Sequence, residues 1–192
     1  MKRVITLAAA SVAAVGLLTA CSGGESTGAP APPTPSVDPA LRVPAPLATA
    51  GLLADPCTAL PADQATNAGF STPGQSYTSP GGPGCQWHSA TYDANKIFIA
   101  PLGTQQTGMT GVYANRAQDN YFEPTTIEGY PAVYAANADL RSSGTCALWL
   151  GVTDQLVVNI NSSILVGPNV GNPCPIVGDI AAAVVRHLKG AA

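Results

Sequence analysis

Cys146-Ala147-Leu148-Trp149-Leu150-Gly151-Val152 turns at Thr153-Asp154-Gln155 and resumes as Leu156-Val157-Val158-Asn159-Ile160-Asn161. In the first run Cys146, Leu148, Leu150 and Val152 alternate with Ala147, Trp149 and Gly151; in the second Leu156, Val158 and Ile160 alternate with Val157, Asn159 and Asn161. Side chains alternate between the two faces of a strand, so each run presents one strongly apolar face. Two such runs joined by three turn residues predict an antiparallel hairpin in a sheet packed on one side.

Outward from the hairpin, Gly84-Cys85-Gln86-Trp87-His88 and Lys96-Ile97-Phe98-Ile99-Ala100 read as a second strand pair around a turn at Tyr92-Asp93-Ala94-Asn95. Residues 123–135 hold one or two strands broken at Gly129-Tyr130-Pro131, and residues 71–84, with three Pro and four Gly, read as a loop. Asp55-Pro56-Cys57 opens a helix over residues 57–68, with Asp55 as cap, Pro56 in the first turn and Gly69 as stop; Pro61 threatens to split it. Met109, Val112, Tyr113 and Arg116 mark a helical stripe. Val177, Ile180, Ala181, Val184 and Leu188 define the buried side of a terminal helix from Cys174 or Pro175 to Lys189. The expected class is α+β: an antiparallel sheet packed against N-terminal and C-terminal helices.

Cysteine spacing adds covalent staples. Cys57 and Cys85 lie 28 positions apart, as do Cys146 and Cys174; Cys57 and Cys174 each follow Pro at a helix start, and Cys85 and Cys146 each precede a Trp. Four cysteines allow three pairings. The simplest is Cys57–Cys85 with Cys146–Cys174, each loop contributing roughly 3.5 kcal/mol in the chain-entropy account. There is no Cys-x-x-Cys, and His88 and His187 are isolated, so neither a metal site nor a cofactor is expected.

Lys2 and Arg3 precede a short apolar run over residues 4–18, which ends in Leu18-Thr19-Ala20-Cys21. This segment is shorter than a spanning helix and has the architecture of an export signal. Leu-Thr-Ala-Cys resembles the bacterial lipobox. That resemblance implies a signal peptide over 1–20, cleavage before Cys21, acylation of Cys21 and an anchor in membrane lipid. Residues 21–50, rich in Pro, Ala, Gly, Ser and Thr around Ala29-Pro30-Ala31-Pro32-Pro33-Thr34-Pro35, read as a disordered tether, and 51–192 as the globular domain. An extracytoplasmic location on the cell membrane fits the disulfides, which persist in oxidising compartments.

The ordered set Asp55-Pro56-Cys57, Gly84-Cys85-Gln86-Trp87, Gly129-Tyr130-Pro131-Ala132, Cys146 and Asn172-Pro173-Cys174 resembles the DUF3558 family of actinobacterial lipoproteins of unknown function. The element order is also similar to the Mog1/PsbP-like α/β sandwiches. Neither likeness supplies catalytic residues.

Charged residues make up only 10% of the chain and the net charge is −3; loss of Lys2 and Arg3 takes it to −5. The six remaining Lys and Arg are scattered, which excludes nucleic acid as a partner. There is no Gly-x-Ser-x-Gly, His-Glu-x-x-His or phosphate loop. His88, and the carboxylate pairs Asp119 with Glu123 and Glu128 with Asp139, are the nearest approach to acid–base chemistry. Trp87 and Trp149, beside stapled cysteines, read as core. Tyr121, Phe122 and Tyr130, next to turns, are the candidate ligand contacts. These readings converge on a non-enzymatic binding or accessory module whose partner is an envelope protein or wall component. An envelope hydrolase and a carrier of lipid or small molecules are the competing classes.

Overall fold

A computed structural model describes residues 38–190. The expected signal peptide, Cys21 and most of the expected tether lie outside the described residues. Seven strands form one antiparallel sheet: β1 (Gln75–Ser79), β2 (Gly82–His88), β3 (Lys96–Pro101), β4 (Tyr121–Ile127), β5 (Tyr130–Ala136), β6 (Ala147–Gly151) and β7 (Val157–Ser163), in the spatial order β1-β2-β3-β7-β6-β5-β4. Two meanders therefore meet at the β3–β7 pair, where Ile99 lies opposite Ile160. The helices are α1 (Ala50–Ala54), α2 (Ala62–Asn67), α3 (Gly108–Ala114) and α4 (Cys174–Gly190).

The α+β class and both staples are as expected: Cys57 joins Cys85 and Cys146 joins Cys174, with Cα separations of 5.0 and 5.2 Å. The predicted hairpin is β6–β7, with Leu148 opposite Ile160 and Leu150 opposite Val158. These four side chains are fully buried beneath α4, whose Val177, Ile180, Ala181, Val184 and Leu188 complete the main core with Trp87, Ile97 and Ile99. Each of the larger aliphatic side chains buried here contributes about 1.5–3 kcal/mol relative to exposure. The β4–β5 turn takes positive φ at both Glu128 (51°) and Gly129 (85°), the conformation that matches strand twist in a two-residue hairpin.

Three readings of the fold are corrected. The sheet is covered on both faces over part of its width: Met109 on α3 packs with Leu41, Leu102, Val133, Ala135 and Val157 on the face away from α4. Central strands carry apolar residues at both parities, which the alternation of β6 alone understates. The stretch 71–84 is not all loop, since β1 and the start of β2 lie within it; β1 is an exposed edge strand with no apolar face to announce it. The segment expected to be helical over 57–68 is split at Pro61, the alternative the sequence left open: a 3₁₀ turn (Pro56–Ala59) and then α2. Asp55 caps the first turn as expected, accepting from the Cys57 N–H at 3.0 Å.

The tether boundary at residue 50 also moves. Leu41 and Leu47 are buried, the Leu47 N–H donates to the Val152 carbonyl at 2.9 Å, and the Val43 N–H donates to Asp154 at 3.0 Å. Residues 39–49 thus belong to the domain and enter at the end of the sheet that carries the β6–β7 turn.

Candidate functional site

The opposite end of the sheet holds the features that fold stability does not require. Five large hydrophobic side chains are exposed among the described residues, and four of them, Tyr92, Leu140, Leu165 and Val166, lie at this end, at 41–58% exposure. The fifth, Leu53, is at the entry end. The β6–β7 register places the close of β7, and hence the following loop, beside the start of β6. Tyr92 belongs to the β2–β3 turn and Leu140 to the β5–β6 connection, which close at the same end.

The loop after β7 is held by a side chain distant in sequence. Asn95 is only 5% exposed; its Oδ1 accepts from the Leu165 N–H at 2.8 Å and the Val166 N–H at 3.1 Å, and its Nδ2 donates to the Val166 carbonyl at 2.9 Å. With its backbone fixed in this way, the chain projects the Leu165 and Val166 side chains outward. Gly144 braces the base of the loop. Its carbonyl accepts from the Ile164 N–H at 2.9 Å and from the Ser162 hydroxyl at 3.1 Å, and its φ of 88° is a left-handed conformation. A Cβ there would fall 1.8 Å from the Ile164 carbonyl oxygen, so only glycine fits. The far side of the loop is fixed where Cys174, the first residue of α4, is bonded to Cys146 beside β6.

Two hollows flank this loop. One is a crevice of about 260 Å³ walled by Phe70, Tyr92, Ile164, Val166 and Ile176. It is smaller than the roughly 300–1,000 Å³ of typical small-molecule sites and suits one anchoring side chain. The other is a wider cleft of about 510 Å³ between Glu123, Tyr134 and Arg141 on one side and residues 171–175 on the other. Arg141 donates to Glu123 at 2.8 Å and to both Asp139 oxygens at 2.9 and 2.7 Å, and its guanidinium carbon lies 4.2 Å from the centroid of the Tyr121 ring. Hydrogen bonds from Arg141 lower the Asp139 pKa to about 2, and the same bonds raise that of Arg141. Burial raises the Tyr134 hydroxyl, with smaller contributions from Asp179 and Glu123.

The aromatic contacts expected from sequence do not converge. Tyr121 is buried under Arg141, where its hydroxyl accepts from the Ala147 N–H at 3.1 Å. Phe122 faces the other side of the sheet and meets Tyr113 edge-on, 4.9 Å between centroids. Tyr130 is buried at the entry end and donates to the Ala45 carbonyl at 2.9 Å, with Lys189 over its ring. Turn residues are exposed only when nothing crosses them; here Arg141 and the entering chain do. Trp87 is in the main core as expected, whereas Trp149 is half-buried on the second face and donates to the Ala135 carbonyl at 3.0 Å. His88 is tied to its own turn, with Nδ1 2.8 Å from the Asp93 carbonyl oxygen. The carboxylates pair differently from expectation: Glu123 and Asp139 share Arg141, while Glu128 accepts from Arg186 at the other end. Among the described residues no group of three or more His, Cys, Asp or Glu is placed to hold a metal.

Sequence reasoning passed over Asn95, Leu165 and Val166. A signal was available: residues 155–178 contain no charged side chain, and Ile164-Leu165-Val166 departs from strand alternation just before Gly167-Pro168-Asn169.

The site and fold together describe a disulfide-stapled α+β domain with a built, partly apolar loop surface at one end of its sheet. Residues 16–187 match the family described as protein of unknown function (DUF3558), and the chain belongs to that family. Neither the curated proteins nor the solved structures provide a match.

Proposed function

We propose that the protein is an extracytoplasmic binding or accessory module of the cell envelope, anchored in membrane lipid through acylated Cys21, with the loop end of the sheet as its recognition surface. The observation that carries the recognition surface is the exposure of Tyr92, Leu140, Leu165 and Val166 at one end of the sheet, the last two on backbone fixed by Asn95. Contiguous exposed apolar surface costs solubility and marks interaction sites. The anchor rests on the Leu18-Thr19-Ala20-Cys21 motif, and the two disulfides fit an oxidising compartment. The envelope partner is a protein or a wall component; catalysis is no part of this role.

The anchor is tested by Cys21→Ser in the native host with fatty-acid labelling and cell fractionation. Loss of label and release from the membrane are expected; a labelled, membrane-bound variant overturns the anchor. The binding role is tested by crosslinking on intact cells with mass spectrometry. Recovery of one dominant envelope partner supports it. A protein that crosslinks to nothing and hydrolyses a wall substrate overturns it.

A further inference from the structure

The two edges of the sheet are built differently. On β4 the edge carries Pro124 at its centre, which removes an N–H from any incoming ladder, and Glu123 beside it, charged and tied to Arg141. On β1 the edge is Gln75-Ser76-Tyr77-Thr78-Ser79, with no charge, no proline and no bulge in its register with β2. Among the described residues the sheet order leaves its outer side without a strand. Its position is firm: a Cβ on Gly74, just before it, would lie 2.6 Å from the Cys85 sulfur and the Trp87 ring, so the strand starts seated on the first disulfide. Edge strands usually carry a charge, a proline or a bulge because an open row of N–H and C=O groups recruits another strand. This one has none of them.

We infer that the β1 edge is a self-association surface and that its occupant is β1 of a second copy, paired antiparallel about a two-fold axis. The chemistry of the strand selects that partner. β1 carries no charged side chain, so two copies meet there without like-charge repulsion between the strands. A two-fold perpendicular to the sheet keeps like faces together, and directly opposed residues share a face. One residue must then oppose its own counterpart. Full overlap of the five residues puts Tyr77 on the axis, Ser76 against Thr78 and Gln75 against Ser79. Each of these is a compatible cross-strand pair. Tyr77 stands edge-on to Phe98 at 5.8 Å and lies over Gly84, so its ring is turned inward from the edge. Pro73 and Pro80 bracket the strand and confine the register. One five-residue pairing is smaller than the roughly 1,600 Å² of a standard interface, so the pair is reversible in free solution and is best caught by trapping.

The test is Tyr77→Cys in the purified domain under mild oxidation, with Thr126→Cys on β4 as the reference position and non-reducing peptide mapping to locate the bond. The 77–77 dimer is expected to form about tenfold faster than any 126–126 dimer, since pairing raises the local concentration of the thiols. Adding Thr78→Pro, or the milder Thr78→Lys, to Tyr77→Cys is expected to remove that advantage while circular dichroism stays native. Equal rates at positions 77 and 126, or a rate at 77 that Thr78→Lys leaves unchanged in a folded protein, overturns the inference.

Discussion

The two ends of the sheet carry similar numbers of loops and opposite surfaces. At the entry end, incoming chain satisfies what the sheet exposes: Val152 receives the Leu47 N–H, Asp154 the Val43 N–H, and Tyr130 reaches Ala45. Leu41 and Leu47 are buried by the same contacts. At the loop end the polar groups are again satisfied, by Asn95, Ser162 and Gly144, but the apolar side chains are turned outward. The difference shows that exposure of Leu165 and Val166 is not a failure of packing. The Leu165 and Val166 N–H groups and the Val166 carbonyl are all bonded to Asn95, so the exposed side chains sit on fixed backbone.

That contrast is broken most forcefully through the staples. Both disulfides span the same separation in sequence, so loss of either lowers stability by roughly 3.5 kcal/mol in the chain-entropy account. Thermal unfolding of Cys57→Ser/Cys85→Ser and of Cys146→Ser/Cys174→Ser is expected to show comparable losses. Hydrogen exchange separates them: only the second pair is expected to release amides 164–174, because Cys174 fixes the end of that loop.

Gly144→Ala comes next, at about 3 kcal/mol, since it combines a left-handed φ with a Cβ 1.8 Å from the Ile164 oxygen. Gly129→Ala at the entry end shares the positive φ but meets nothing within 4 Å, and is expected to cost only about 1 kcal/mol. Equal midpoints in urea for the two variants would remove Gly144 from its bracing role.

Asn95→Ala leaves the Leu165 and Val166 N–H groups without their acceptor and is expected to cost about 2 kcal/mol, concentrated in exchange at the loop. Tyr130→Phe, its counterpart at the entry end, removes one hydrogen bond to Ala45 and is expected to cost about 1 kcal/mol.

The smallest effect belongs to Arg141. The Asp139 carboxyl is depressed from 3.8 to about 2 when folded, so its contribution is present above the unfolded value and disappears as pH falls through about 2. The pair is exposed, and the effect is a shallow one. The melting temperature of the wild-type domain is expected to fall slightly more steeply between pH 4 and pH 2 than that of Arg141→Gln. Parallel curves would dissociate Arg141 from the Asp139 titration.

What the sequence reveals and hides follows the same physical division. The β6–β7 hairpin is legible because Leu148, Leu150, Val158 and Ile160 share one buried face, and α4 because its stripe has helical period. The staples are legible from matched spacing and Asp-Pro or Asn-Pro at two helix starts. By contrast, β1 is polar on both faces and leaves no period to detect. Leu41 and Leu47 lie in Pro- and Ala-rich sequence that composition assigns to a tether, although their burial decides otherwise. The candidate site is the least legible part. Asn95 reaches across 70 positions to Leu165, and no local pattern announces a hydrogen bond of that span. Tyr121 and Tyr130 look like surface in the sequence for the same reason, since the groups that cover them, Arg141 and Ala45, are remote in sequence.

The central claim is that the loop end, not the entry end, meets the partner. It is tested most directly by placing a photo-crosslinking amino acid at Leu165 and, separately, at Leu53, the exposed leucine of the other end, and irradiating intact cells. A discrete adduct with one envelope component from position 165, absent from position 53 and lost with Asn95→Ala, is the result expected. Adducts from position 53 with none from position 165 would contradict it.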